Sequence, residues 1–249
     1  MRVKIAELLS GVYGRRLNQV SGEVLQREDE GCIGERRLRG FLGEIPPDLR
    51  ERLLRGASSV TYERGARIGD TAWARPGVVV GGLVRAYVDS EDGREATLKY
   101  LRRGDAIGIG ESLVEDWPCS FQALEATTIL YFDGRQFEAA LANDASLARI
   151  VAKNLARRLA GSSDTVRQFA FGRVRQRVAT HLISLATPDG NGRMTARVTQ
   201  QELADAVGSV RDVVARSMAE LSSAGLVVTS HGKVVITDED ALLDAAEIV

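Results

Sequence analysis

The stretch from Val198 to Ile236, VTQQELADAVGSVRDVVARSMAELSSAGLVVTSHGKVVI, predicts two helices joined by a tight turn and followed by a β-hairpin. Thr199 is placed to cap the first helix, and Glu202 follows three residues later to complete a capping box. Gly208 is suited to end that helix in the left-handed conformation, and His231-Gly232 is suited to the hairpin turn. This order of elements is typical of a winged helix-turn-helix.

The second helix of this segment has a polar side that would suit the major groove of DNA. An arginine can donate two parallel hydrogen bonds to guanine, and a carboxylate can accept one from cytosine. We therefore predict DNA binding, and we keep one alternative, a winged helix that binds a protein partner, because a fold alone does not determine function. The positions predicted to be exposed on this side are Ser209, Arg211, Asp212, Arg216 and Ser217.

The segment TQQELADAVGSVRDVVAR resembles the helix-turn-helix of the cyclic-AMP receptor and fumarate-nitrate regulator (CRP/FNR) superfamily almost position for position. In the cyclic-AMP receptor branch the recognition helix carries an Arg-Glu pair and a second Arg four residues after the Glu. Arg211, Asp212 and Arg216 occupy these places, with Asp instead of Glu. The resemblance implies a bacterial transcription regulator that reads a GTGA-like half-site and has RNA polymerase as a partner. We expect phosphate contacts from Thr199, Gln200, Ser209, His231 and Lys233.

A helix is predicted upstream, from about Ala145 to Phe169, with apolar residues at alternating spacings of three and four. This mean period, close to 3.5 residues, favours pairing with a second copy of the same helix. A helix-turn-helix protein that reads two half-sites also needs two-fold symmetry, and members of the resembled family dimerise through this helix. The alternative is a stripe that packs only within its own chain. The predicted dimer residues are Val151, Leu155, Leu159 and Val166.

Short apolar runs separated by turn-forming residues predict an antiparallel β-roll between about Ser58 and Phe132. The run GGLVRAYVDSEDGREATLKYLRRGDAIGIGE resembles the cyclic-nucleotide-binding roll of the same superfamily. The predicted fold is therefore α+β. We divide it into an N-terminal extension (1–40), the β-roll (41–135), the dimerisation helix (136–170) and the winged helix-turn-helix with a C-terminal helix (171–249). The strands are predicted at Ser58–Tyr62, Gly77–Val80, Leu83–Val88, Ala96–Tyr100 and Thr127–Phe132.

The roll of this family implies an effector pocket, and here its phosphate-binding residue is replaced. When the family pattern is aligned on Ser120, the position of its phosphate-binding arginine falls on Cys119, and no arginine occurs between Ala106 and Gly134. We therefore disfavour cyclic AMP and predict no cofactor. Activity without a ligand, a different effector and a thiol switch remain open. The candidate pocket residues are Glu111, Cys119, Ser120, Ser162 and Ser163.

The composition of the chain disfavours several other classes of protein and of site. The net charge is −1, but the region from Arg149 to Arg177 is strongly basic, and local basicity is what attracts phosphate. Two cysteines are too few for a disulfide framework or a four-thiolate iron–sulfur cluster, and two histidines offer no metal-ligand spacing. We predict neither a metal site nor an enzyme. Without an apolar run of about 18 residues or a signal-peptide core, we expect a cytoplasmic protein that does not cross a membrane.

Overall fold

The computed structural model describes residues 40–69, 75–114, 117–230 and 232–247. The N-terminal extension up to residue 39, with Cys32, and the predicted phosphate contact His231 lie outside the described residues. In chain order the elements are α1 (Phe41–Glu44), α2 (Pro47–Arg55), β1 (Ser58–Tyr62), β2 (Arg67–Ile68), β3 (Gly77–Gly81), β4 (Leu83–Asp89), β5 (Glu95–Arg102), β6 (Ala106–Ile107), β7 (Ser120–Ala123), β8 (Thr127–Tyr131), α3 (Gly134–Asn143), α4 (Ala145–Phe171), α5 (Val174–Leu185), β9 (Thr187–Pro188), β10 (Met194–Ala196), α6 (Gln200–Val207), α7 (Arg211–Ser223), β11 (Val227–Ser230), β12 (Lys233–Ile236) and α8 (Glu239–Ala246).

The predicted antiparallel roll is confirmed. Its strands form two four-stranded sheets in the orders β1-β8-β3-β6 and β2-β7-β4-β5. Side chains alternate between buried and partly exposed along β7 and β8, as expected for strands with one face on a core. The core between the sheets includes Val79, Val84, Ile107, Phe121 and Ile129. All five predicted strands are present, with ends shifted by at most two residues. The two-residue strands β2 and β6 and the four-residue strand β7 were not predicted.

The helix predicted from about Ala145 to Phe169 is confirmed as α4, whereas the wider segment 136–170 assigned to dimerisation also contains part of α3. Asp144 separates α3 from α4, and its carboxylate accepts hydrogen bonds from the backbone N–H groups of Ser146 and Leu147. A carboxylate that satisfies these free donors begins a new helix at this point. The long helix therefore begins at Ala145, and it continues to Phe171.

The predicted dimer stripe on α4 is only partly available to a second chain. Val151 is buried in a core cluster with Phe41 and Phe132 of its own chain, which removes it from the predicted dimer surface. Leu155 is half-buried against the same cluster. Leu159 and Val166, farther along the helix, are 71% and 66% exposed. Only the C-terminal half of the stripe is free to pair.

The C-terminal region is the predicted winged helix-turn-helix. Helices α6 and α7 flank Gly208, whose φ of 60° is the predicted left-handed helix end. The hairpin β11–β12 continues through β10 to β9 in one antiparallel sheet. Helix α5 and the strands β9 and β10, which were not predicted, complete this region. The buried faces of α5, α6 and α7 meet in a single core.

The roll and the winged helix-turn-helix share part of this core. Leu83 of β4 and Tyr100 of β5 belong to the cluster that also contains Leu203 of α6. Tyr100 Oη lies 3.0 Å from His181 Nδ1, and their rings meet edge to face. Burial lowers the pKa of His181 to about 4, and the nearby charges of Arg85 and Arg177 act in the same direction. This histidine is therefore neutral between the two regions at neutral pH.

We predict that acid weakens the fold through His181. Its pKa is about 6.5 in an unfolded chain and about 4 in the folded one, so below about pH 6.5 only the unfolded state gains its proton. The free energy of unfolding should fall by up to about 2 kcal/mol between about pH 7 and pH 5 from this group alone. Denaturant titrations of the wild type and His181→Phe at both pH values measure this loss. If both proteins lose the same amount, His181 does not carry the effect.

Candidate nucleic-acid interface and effector pocket

The start of the helix-turn-helix is rigidly capped. Thr199 Oγ1 accepts the backbone N–H of Glu202 at 3.1 Å, and Glu202 Oε2 accepts the N–H of Thr199 at 2.7 Å. This is the predicted capping box, which satisfies two otherwise free helix donors. The Thr199 hydroxyl can still donate its own hydrogen to a phosphate oxygen. Arg64 of the roll also donates to Glu202 Oε1 at 2.9 Å.

Helix α7 presents its charged residues to solvent because its opposite face is buried. Val214, Met218 and Leu221 lie in the core. Arg211, Asp212 and Arg216 are exposed, and none of their three side chains forms a hydrogen bond or an ion pair within the described residues. Their polar groups can therefore meet a ligand without first breaking an internal contact.

Ser217, predicted to be exposed on this side, is buried instead. Its hydroxyl donates to the Val213 carbonyl oxygen at 3.0 Å, one turn earlier. Ser217 lies three residues after Val214 and four before Leu221, which places it on the buried face. The periodicity of the apolar residues was sufficient to identify this position.

Two of the five predicted phosphate contacts line a groove at the start of the helix-turn-helix. Thr199, the N-cap of α6, and Gln200 lie on one side of it, with Arg211 of α7 and Ser230 and Gly232 of the hairpin. Helix N-termini favour anions because their first backbone N–H groups lack partners within the helix.

Two further predicted phosphate contacts, Ser209 and Lys233, do not line this groove. Ser209 is half-buried in the turn, where its N–H donates to the Ala204 carbonyl oxygen. Lys233 Nζ is 3.6 Å from Asp189 Oδ2, so part of its charge is already balanced. Of these two, Ser209 keeps its side chain free of a charged partner.

A second group of polar residues lies between the roll and α4. Neither carboxylate oxygen of Glu111 is exposed, and neither has a hydrogen-bond partner among the described residues. Burial raises the pKa of Glu111, while the charges of Arg158 and Lys99 oppose that rise. Burial also lowers the pKa of Lys99 to about 8, and it raises the pKa of Asp105. Two partly buried cations, Lys99 and Arg158, therefore lie within electrostatic range of two partly buried carboxylates, Glu111 and Asp105.

Cys119 belongs to the same group. Burial raises the pKa of its thiol to about 11, and the Glu111 carboxylate acts in the same direction. The thiol is therefore neutral at neutral pH, whereas a reactive cysteine needs a lowered pKa. Ser120 begins β7, where it pairs with Tyr87 of β4. Glu111 and Cys119 thus lie within electrostatic range of each other.

Ser162 and Ser163, which were predicted to belong to the effector pocket, are exposed on α4. Their hydroxyls donate to the carbonyl oxygens of Arg158 and Leu159, one turn earlier. Arg158 was not predicted as a pocket residue, although its spacing of four from Ser162 places both on one side of the helix. Its guanidinium donates to the Ala106 carbonyl oxygen beside the buried carboxylates. Lys99 carries no comparable signal in the sequence, because only the folding of β5 brings it to Glu111.

Neither a metal site nor a membrane-spanning helix is found in the described part of the chain. No group of three or more His, Cys, Asp or Glu residues there could hold a metal ion. None of the helices described there is long and apolar enough to cross a membrane.

Comparisons with known proteins agree with this architecture. Family models of a Crp-like helix-turn-helix domain and a cyclic nucleotide-binding domain match residues 176–245 and 67–144. The cAMP-activated global transcriptional regulator CRP of Escherichia coli is 34% identical over 172 residues, which cover 64% of this chain and 78% of that protein. The transcriptional regulator SdrP of Thermus thermophilus is 29% identical over 178 residues, covering 68% of this chain and 82% of that one.

Solved structures extend the agreement to three dimensions. A CRP/FNR-family transcriptional regulator of Thermus thermophilus superimposes with a TM-score of 0.64 at 26% identity, covering 76% of this chain and 98% of that one. Because the relative from Escherichia coli is matched over more than two thirds of its length, the likeness is not confined to one domain. The chain belongs to the CRP/FNR superfamily and is a transcription regulator with a helix-turn-helix DNA-binding domain.

Proposed function

We propose that the chain acts as a homodimer that reads a palindromic DNA site without cyclic AMP as its switch. The observation that carries the reading of DNA is the exposed trio Arg211, Asp212 and Arg216, unpaired within the described residues at one end of a helix that is otherwise packed. The two arginines would each donate two hydrogen bonds to a guanine, and Asp212 would accept one from cytosine N4. Thr199, Gln200, Ser209, His231 and Lys233 would hold phosphates and fix the orientation of the helix on the duplex.

Dimerisation is supported by the uncovered end of the α4 stripe. Leu159 and Val166 are one heptad apart, which places them on the same side of the helix. Exposed aliphatic side chains in this arrangement would be covered by the same side chains of a second copy. Two-fold symmetry would then place the two α7 helices on half-sites one turn of DNA apart, at about 34–36 Å. RNA polymerase would be the further partner, as in the family that the chain resembles.

The charges in the roll support a switch other than cyclic AMP. Cys119, at the place of the phosphate-binding arginine, is a neutral thiol. The partly buried cations Lys99 and Arg158 lie within electrostatic range of Glu111 and Asp105, so their positive charge is already opposed. A buried phosphodiester needs an uncompensated cation to offset the loss of its hydration. The roll therefore shares the fold of cyclic-nucleotide-binding domains but not the arrangement of charges that would bind the phosphate of cyclic AMP.

We predict that Arg211→Ala and Arg216→Ala each weaken binding to the selected DNA site by about 1–3 kcal/mol and relax base preference at one position of each half-site. Loss of a bidentate contact removes the discrimination at that base pair. Binding titrations on duplexes with single base changes measure both effects. Arg135→Ala, an exposed arginine on α3, is the matched control and should bind like the wild type. Unchanged base preference in both α7 variants would contradict the assignment.

We predict that Leu159→Glu converts the dimer to a monomer, because two buried carboxylates would oppose each other across the helix pair. The side chain is exposed within its own chain, so the monomer fold should survive, with an unchanged circular-dichroism spectrum. Sedimentation velocity measures the mass. Ala160→Glu, one residue later and about 100° around the helix, is the control and should remain dimeric. A variant Leu159→Glu that stays dimeric would exclude this face as the dimer interface.

A further inference from the structure

The residue before the recognition helix is an exposed aliphatic side chain. Val210 is the N-cap of α7, and it is 64% exposed. The following residues, Arg211 and Asp212, are exposed beside it at the same end of the helix. The buried face of the helix begins only later, with Val214. Packing within the chain therefore does not explain a branched apolar residue at position 210.

Helix stability does not explain it either. Ser, Thr, Asp and Asn are the preferred N-cap residues, because their side-chain oxygens accept a free N–H of the first turn, and Val is among the least favoured. Val210 makes no side-chain cap bond, while its carbonyl oxygen accepts the N–H groups of Val213 and Val214 at 3.1 and 3.2 Å. The backbone hydrogen bonds thus fix the start of α7. A polar N-cap residue at position 210 would stabilise the helix more than valine does.

Contact with DNA would explain why an exposed aliphatic side chain occupies position 210. The N-terminal residues of a recognition helix contact base edges in the major groove. The thymine C5-methyl group is the apolar feature of the base edges in that groove, and aliphatic side chains contact it. An exposed pair of methyl groups next to the guanine- and cytosine-reading residues complements that feature. We infer that Val210 reads a thymine methyl in each half-site, next to the base pairs contacted by Arg211 and Asp212.

This inference rests on the proposed reading of DNA and adds a specificity-determining residue to it. Two kinds of chemical group would then be recognised at the same end of α7. Arg211, Asp212 and Arg216 recognise hydrogen-bonding groups, whereas Val210 recognises the presence of one methyl group. The selected half-site should therefore contain a thymine whose methyl group, rather than its hydrogen-bonding edge, is required.

The test removes only that methyl group. In the half-site selected by the wild type, each thymine is replaced in turn by deoxyuridine, in both half-sites together. At one position the affinity of the wild type should fall by about fourfold per half-site, the effect of burying one methyl group. Val210→Ser should bind the thymine and deoxyuridine duplexes with equal affinity. Because Ser is a preferred N-cap residue, this variant should melt at a temperature no lower than that of the wild type.

Val114→Ser is the matched control, since Val114 is 54% exposed and belongs to the roll rather than to the winged helix-turn-helix. It should retain the full deoxyuridine effect. If no thymine shows the effect, or if Val210→Ser retains it, the inference is overturned while the reading of DNA stands. If the wild type selects no half-site at all, the proposed function itself fails. The two failures are thus distinguishable.

Discussion

The geometry of the turn between α6 and α7 is the constraint on which the DNA-binding surface depends. Gly208 has a φ of 60°, which L side chains rarely adopt, and a Cβ there would lie 3.2 Å from Cε1 of Phe169 on α4. Glycine therefore satisfies both the backbone conformation and the close approach of the long helix. With the turn in this conformation, the apolar stripe of α7, which consists of Val214, Met218 and Leu221, packs into the core. Arg211 and Arg216 are consequently directed outward.

The position of the winged helix-turn-helix on the roll depends mainly on buried contacts. Tyr100 and Leu83 extend the C-terminal core into the roll, and the Arg102 guanidinium donates to the Ser184 carbonyl oxygen at 2.6 Å. The ion pair between Arg64 and Glu202 is exposed, and surface pairs of this kind contribute about 0–1 kcal/mol. The exposed ion pair therefore contributes little to this interface, whose buried part includes Leu83, Tyr100 and the neutral His181.

Local features of the helix-turn-helix could be predicted because short-range rules control them. The capping box of Thr199 and Glu202 and the left-handed Gly208 depend on neighbours within a few residues, and both are present. The helical periodicity of the apolar residues also places Ser217 on the buried face of α7, although its polar side chain suggests an exposed position. For a small hydroxyl group, a backbone partner one turn earlier is enough to allow burial.

Features that depend on tertiary contacts could not be predicted. Strands β2 and β6 have two residues each, too few to show alternation. Val151 fits a heptad stripe as well as Leu159 does, and only the packing of α1 and α3 against α4 shows that it is buried within its own chain. The register of β5 on β4 brings Lys99 within electrostatic range of Cys119, and this register cannot be read from the sequence. The predicted pocket therefore included Cys119 but not the cations beside it.

The most direct test is selection of DNA from a random duplex library by the purified protein, without ligand and again with cyclic AMP. We expect the same palindromic motif in both conditions, with two half-sites about one turn of DNA apart. A motif that emerges only with cyclic AMP would contradict the proposed independence from that ligand. A non-palindromic motif would contradict the symmetric dimer.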